Sequence, residues 1–388
     1  MVNEMKKILI KILIPILIVL KIASCNDPIF YHVSIEPPNV SPLITGSPTN
    51  FILLGGNVFV ASRGRLFSYN IASEEWTEQA HNLPHDIRKL AVIGTHLYAH
   101  IGPPVASGSI WRTANPADST SWTIMTADAL DVRAMYTDGT FLFFSVRHED
   151  DQHSFSIYRF NNPLDAARIT GTQMVSDFRG AARTGTTTFL ITGGSTQSGV
   201  NGNIFAAAGT PPASVSSVTA QDQDLNPYTI TNSAGIINLG SAGGNTIIVS
   251  TSDGNLYSVT SSLATRRISY GEGFFTEALS VWTDGTNHLL LVGRRDNRYS
   301  ASSGYRYGYL EIAIGTGGIT GTNLVVPGSA SISTVIDTGR YRTSIGTRAV
   351  FSIFQPAAPN SLLFASTSGQ GVWHYIEAED RWNRVQRP

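Results

Sequence analysis

Tyr136-Thr137-Asp138-Gly139-Thr140-Phe141-Leu142-Phe143-Phe144 reads as strand, turn, strand. Asp-Gly supplies the positive φ that a two-residue hairpin wants, between runs rich in aromatic and apolar side chains. The arrangement returns at Trp282-Thr283-Asp284-Gly285-Thr286, which leads into Leu289-Leu290-Leu291-Val292. Further hairpin signals stand at Gly55-Gly56, Gly94-Thr95, Gly185-Thr186 and Gly243-Gly244. From Gly55 through Gly94, Gly139, Gly185, Gly244 and Gly285 the spacings are 39, 45, 46, 59 and 41 residues. A last copy begins at Ala349-Val350-Phe351, turns at Asn360 and continues as Leu362-Leu363-Phe364. Seven units of roughly 40–60 residues, each with about four short strands, predict an all-β fold: a seven-bladed β-propeller of four-stranded antiparallel blades.

Composition agrees with a turn-rich, well-packed chain. Of 388 residues, 42% are hydrophobic and only 14% charged, with 36 Gly and 18 Pro. Low charge with ample aromatic and aliphatic side chains argues against disorder. The net charge of −1 argues against a nucleic-acid binder that works by neutralising phosphates.

The N-terminus reads as an address. Lys6 and Lys7 precede an almost wholly apolar run, Ile8–Leu20, interrupted by Lys11 and Pro15. A basic start, a short apolar core and small residues before a cut site describe a secretory signal peptide over residues 1–24. The apolar run is shorter than the roughly 20 residues of a membrane span, and Met5 is as good a start as Met1. Cys25 is the sole cysteine, so no disulfide forms within the chain. Removing residues 1–24 takes four lysines and one glutamate, and the net charge falls to −4. Attraction to anionic lipid is therefore not an anchor. Residues 25–50 carry Pro28, Pro37, Pro38, Pro42 and Pro48 and are expected to form an extended tether, with the propeller over 51–388.

Three resemblances follow from these residues. Ile22-Ala23-Ser24-Cys25 resembles a lipobox, which implies a bacterial lipoprotein acylated at Cys25; plain secretory cleavage beside an incidental cysteine is the alternative. Cys25-Asn26-Asp27-Pro28-Ile29-Phe30-Tyr31, with Gly46-Ser47-Pro48-Thr49-Asn50, resembles the start of a group of spirochaete (treponemal) lipoproteins. That implies an address in the cell envelope, periplasmic or on the outer surface, and a membrane partner through the lipid, but no reaction. Within the body, Tyr69 precedes Trp76 by seven residues and Tyr375 precedes Trp382 by the same interval, which resembles a degenerate kelch repeat. Gly108-Ser109-Ile110-Trp111-Arg112-Thr113, with Ser121-Trp122-Thr123, is similar to a unit of sialidase-type propellers without the full Asp-box. Trp76, Trp122 and Trp382 are expected to pack between blades.

Candidate sites sit in loops. Those at Gly102–Gly108, His148–His153, Gly193–Asn203 and Arg294–Gly304 are long for links between the second and third strands of a blade. Long loops on a rigid scaffold are where binding resides, so the face carrying them is expected to be elaborated. Arg294, Arg295, Arg298 and Tyr299, followed by Tyr305, Arg306 and Tyr307, combine guanidinium forks with stacking faces. They form the candidate wall for an acidic glycan, a peptide carboxylate or a protein partner; a solvated loop with a Tyr/Arg strand face is the plain alternative. His148-Glu149-Asp150-Asp151-Gln152-His153 holds metal-capable groups at a spacing matching no calcium or zinc pattern. His96 and His100, four apart in a strand, lie about 13 Å from each other, too far to share one ion. No metal or cofactor is expected.

Enzyme signatures are absent from the sequence. It contains no Gly-x-Ser-x-Gly elbow, no His-Glu-x-x-His and no phosphate-binding Gly-rich loop ending in Lys-Ser/Thr. A Schiff-base lysine beyond the signal is limited to Lys89, with no neighbour in the sequence to lower its pKa. Glycosidase chemistry needs two carboxylates about 5–9 Å apart, which a propeller can assemble from distant residues. The leading expectation is a monomeric, lipid-anchored propeller that binds a protein or glycan without catalysis. A propeller-type glycan hydrolase or lyase, and a structural part of an envelope assembly complex, are the alternatives. Because each blade buries its faces only against its neighbours, a chain ending near residue 340 is expected not to fold. Recovery of such a fragment as a soluble, cooperatively melting species would contradict ring closure.

Overall fold

A computed structural model describes residues 42–386, except for connecting segments, the two longest being 295–307 and 320–344. Seven antiparallel sheets follow one another along the chain. Six have four strands; the sixth blade has three among the described residues. Blade 1 is Ile52–Leu54, Asn57–Ser62, Arg65–Asn70 and Glu75–Gln79. Blades 2 to 7 open with inner strands Ile87–Ile93, Val132–Thr137, Phe178–Thr184, Ser233–Asn238, Phe275–Thr283 and Val350–Phe354. A short extra ribbon pairs Ala220–Gln221 with Pro227–Tyr228.

The middle strands are continuous apolar runs because both faces of every blade are covered. Side chains alternate across a strand, and the alternation sorts them between interfaces. Val58 and Val60 enter the cluster shared with blade 7; Phe59 and Ala61 enter the cluster shared with blade 2. Likewise Leu363 and Ala365 face blade 6 while Phe364 faces blade 1. Seven apolar clusters result, one at each of the seven contacts between neighbouring blades, the contact of last with first included.

That closing contact is aromatic. Phe364, fully buried, lies 5.9 Å from Phe51, 5.0 Å from Tyr69 and 5.5 Å from Trp76, ring centre to ring centre. Residues 42–50 run along the same seam. Leu43 N–H donates to Val385 O (3.1 Å), Gly371 N–H to Gly46 O (2.9 Å) and Thr49 N–H to Ala61 O (2.8 Å), and Ile44 is buried. Gly371 has φ 84°, and a Cβ there would lie 1.9 Å from Ile44 O, so the seam needs glycine. Residues 42–50, expected to belong to the tether, thus pack along the seam, because their backbone polar groups find partners on the first and last blades.

Two other expectations acquire a physical basis. The seven-residue Tyr–Trp interval is a cross-strand register: Tyr69 pairs with Trp76 and Tyr375 with Trp382. Trp76, Trp122 and Trp382 each join an inter-blade cluster. The Asp138-Gly139 turn differs from expectation. The strand ladder starts at Thr137–Leu142; inside it Asp138 N–H donates to Phe141 O (3.3 Å), which puts Gly139-Thr140 at the tip, while Asp138 Oδ1 accepts the amides of Thr140 (2.9 Å) and Phe141 (2.7 Å). The two-residue form occurs at Gly55-Gly56, with φ 57° and 78°, between paired Leu54 and Asn57. Phe364→Ala is expected to lower the unfolding free energy by about 3–5 kcal/mol, as for a large aromatic deleted from a packed interface. Denaturant unfolding reads this directly, and a loss below about 1 kcal/mol would show that the seam does not hold the ring.

Candidate functional site

Near its start the inner strand of each of blades 2 to 7 carries a bulge. In blade 2, Ile87 pairs with Ile101 and Lys89 with His100, so Arg88 has no partner residue. In blade 3 the residue skipped is Arg133, in blade 4 Arg179, in blade 5 Ala234 and in blade 7 Phe351. Blade 6 leaves a longer gap between Phe275 and Leu279, with Glu277 at its centre. A bulge turns the extra side chain out of the regular alternation. Here all six point the same way. Arg88, Arg133, Arg179, Ala234, Glu277 and Phe351 line one cavity of about 430 Å³ at the ring's centre. A second cavity of about 580 Å³ shares Arg88, Glu277 and Phe351 and reaches Asn50 and Ser368.

The bowl opens where inner strands begin and second strands end, which is the face expected to carry the long loops. In blades 2 to 4 an aspartate prepares each arginine. The backbone oxygens of Asp86, Asp131 and Asp177 accept amides from Gly102, Arg147 and Gly193, tying the strand start to the end of the second strand. The Asp131 carboxylate also pairs with Arg133 (2.6 Å) and Arg147 (2.8 Å), and Asp177 pairs with Arg179 (3.0 Å). Arg88 differs: its Nε donates to Gly102 O at 2.9 Å, and no carboxylate among the described residues lies within ion-pair distance.

One ion pair crosses the bowl. Lys89 Nζ of blade 2 lies 2.7 Å from Glu277 Oε2 of blade 6, two blades that are not neighbours. The same ammonium sits over the Tyr136 ring at 4.5 Å, and Tyr136 Oη donates to Glu277 Oε2 at 3.4 Å. Burial alone pushes the Lys89 ammonium down; Glu277 and Tyr136 outweigh it and hold its pKa above the ordinary lysine value. Burial pushes the Tyr136 phenol up to about 12, with Lys89 opposing. Both groups therefore keep their protons at neutral pH. Burial, followed by the Arg133 charge, pulls the Arg88 guanidinium down, against an opposing pull from Asp86.

His100 lies behind the arginines, 2% exposed, with Nε2 3.2 Å from Val132 O. Burial lowers its pKa to about 4; the hydrogen bond opposes this, and Arg88, Lys89 and Arg133 add to it. The ring is neutral at pH 7 and donates from Nε2. Gly108 is required beside it, since a Cβ would lie 2.5 Å from Nε2.

Of the arginines expected to form a wall, Arg294 is described, and it is not among the residues lining the bowl. Arg294 is 3% exposed at the end of strand His288–Arg294, where its N–H donates to Gly308 O. Arg295, Arg298, Tyr299, Tyr305, Arg306 and Tyr307 lie outside the described residues, as do His148–His153 and Cys25. The bowl itself did not emerge from the sequence, although a signal for it exists. Asp86-Ile87-Arg88, Asp131-Val132-Arg133 and Asp177-Phe178-Arg179 recur 45 and 46 residues apart, each Arg six residues before a hairpin glycine.

No protein-family profile and no curated protein sequence matches the chain. Solved structures do match. Virginiamycin B lyase from Staphylococcus aureus superposes with a TM-score of 0.53 at 10% identity, over 86% of this chain and 97% of that one. YCF48 from Cyanidioschyzon merolae gives 0.52 at 9% identity, over 86% and 96%. A structure of YCF48 bound to D1 peptide gives 0.51 at 10% identity, over 88% and 97%. At these identities the likeness is one of fold, the β-propeller.

His100 makes stability depend on pH. Its folded pKa, about 4, is lower than the unfolded value of 6.5. Above pH 6.5 neither state binds the proton. As pH falls from 6.5 towards 4 the unfolded chain takes it up and the folded chain does not, a loss of about 2–3 kcal/mol. His100→Gln, which keeps a donor for Val132 O, is expected to lose less stability than the wild type between pH 7 and 4.5. Equal losses in denaturant titrations at the two pH values would contradict the assignment.

Proposed function

We propose that this chain is a lipid-anchored envelope β-propeller that binds, without catalysis, an acidic group of a protein or glycan in its central bowl. The observation that carries the reading is the ring of bulges that aims Arg88, Arg133 and Arg179 into one cavity. Guanidinium groups offer two-point donors to carboxylates. Neighbouring blades put them on separate rigid strands, which holds them in place before a ligand arrives. The cavity takes a group the size of a sugar or a few peptide units. YCF48, of the same architecture, has been solved bound to a peptide, which makes a peptide a reasonable first ligand class to screen. The lipid anchor rests on Cys25 and the residues before it.

The enzyme reading draws on the same cluster, because Glu277 stands among arginines and virginiamycin B lyase has this fold. The chemistry favours binding. Hydrolysis of a glycoside wants two carboxylates, and Glu277, the one carboxylate among the described residues lining the bowl, is engaged by Lys89. A lyase wants a base: Tyr136 and Lys89 both hold their protons, and His100, which is neutral, has a pKa lowered to about 4 and is a weak base.

The test is a screen of acidic and neutral peptides and oligosaccharides against the full chain in detergent. Acidic members are expected to bind with a steep salt dependence, and Arg88→Gln is expected to weaken them about tenfold, the scale of one charge-assisted hydrogen bond. Binding confined to neutral ligands, or unaffected by Arg88→Gln, would overturn the reading.

A further inference from the structure

The bulge ring carries arginine in three blades and a carboxylate in one. We propose that Glu277 is a built-in surrogate for the ligand's acid, and that the ligand binds by placing its own carboxylate on Lys89 in place of Glu277. This rests on the anion-binding reading above and names the group exchanged. Four features carry it.

Glu277 reaches Lys89 across the ring, between blades that share no sheet edge or apolar cluster. The contact is therefore not needed to pair strands. Glu277 is 39% exposed and Lys89 18%, so the carboxylate is the more accessible partner of the pair. An ion pair with one half-exposed member contributes little to stability, and its replacement by an equivalent pair is nearly neutral. Lys89 is, by contrast, a poor group to leave unpaired: it is largely buried, with Arg179 adding like charge. Some carboxylate must stay on it, and a ligand that brings one meets that demand while extending towards Arg88, which has no carboxylate of its own among the described residues. The seated group is a carboxylate whose oxygen accepts from both Nζ and Tyr136 Oη, and that geometry suits an incoming carboxylate.

The exchange predicts that the protein competes with its own ligand. The probe is a tri-glutamate peptide, titrated by calorimetry into the full chain, with inorganic phosphate as a second probe. Glu277→Gln, which keeps the shape and removes the charge, is expected to tighten tri-glutamate about tenfold. Loss of a negative charge near arginines would raise anion affinity by simple electrostatics as well, so the decisive variant is Lys89→Gln. In the Lys89→Gln background, adding Glu277→Gln is expected to change affinity less than twofold, because the surrogate has nothing to vacate. A tenfold gain that persists in that background overturns the exchange and leaves a general field effect. So does unchanged or weaker binding by Glu277→Gln, or a gain for phosphate as large as for tri-glutamate. No binding of any acidic probe to wild type or Glu277→Gln would instead sink the anion-binding reading itself. Lys89 is the sole lysine beyond residue 21, which provides a readout independent of affinity. Its modification by an amine-reactive reagent, followed by mass spectrometry, is expected to rise in Glu277→Gln and fall again on adding tri-glutamate. No change in either step would contradict the exchange.

Discussion

The whole structure depends on closing a ring whose two ends share no sheet. Each blade is apolar on both faces and stable only between two neighbours, so the first and last blades are incomplete until they meet. Nothing in the backbone ladder makes them meet. The seam is held by Phe364 against Phe51, Tyr69 and Trp76, and by residues 42–50, whose amides and carbonyls bind the last blade on one side and Ala61 of blade 1 on the other. Asn50 extends the arrangement into blade 2, where its side-chain amide exchanges two hydrogen bonds with the backbone of Leu90 (2.8 and 3.0 Å). Once the seam is closed, the six bulged inner strands start around one cavity, and what they present there becomes a single surface.

The bowl follows from that convergence. An inner strand in regular alternation would aim every second side chain at a neighbouring blade, where an arginine has no place. The bulge releases one residue per blade from this rule. The cost is a broken ladder at the strand's first turn, offset by hydrogen bonds from Gly102, Arg147 and Gly193 to the aspartate backbone. The result is positive charge concentrated at the ring's centre in a chain that is slightly acidic overall. His100 stays neutral behind it because burial among three cations rules out a further charge. Lys89 stays charged because Glu277 crosses the ring to meet it.

Much of the fold is legible along the chain, because it rests on local chemistry. Positive φ at Gly55, Gly56, Gly94, Gly139 and Gly185 marks inner hairpins, and their spacing marks blades. The seven-residue Tyr–Trp interval is visible because cross-strand register turns a sequence distance into a ring contact. The errors are also physical. A proline-bearing segment reads as a tether because composition reports local stiffness and not the partners available at Val385, Gly369 and Gly371. Asp138-Gly139 reads as a two-residue turn because its carboxylate's grip on two following amides is not encoded in the dipeptide.

The candidate site divides along the same line. By itself the sequence determined seven repeats of short apolar runs, and the identity of the residue six places before each hairpin glycine. These are properties of short segments, set by backbone conformation and by the two-residue period of a strand. That Arg88, Arg133, Arg179 and Glu277 stand around one cavity, and that Lys89 finds Glu277, 188 residues along the chain, at 2.7 Å, was decided only by the closed ring. Charge acts through space, and only the tertiary structure sets the distances on which it acts.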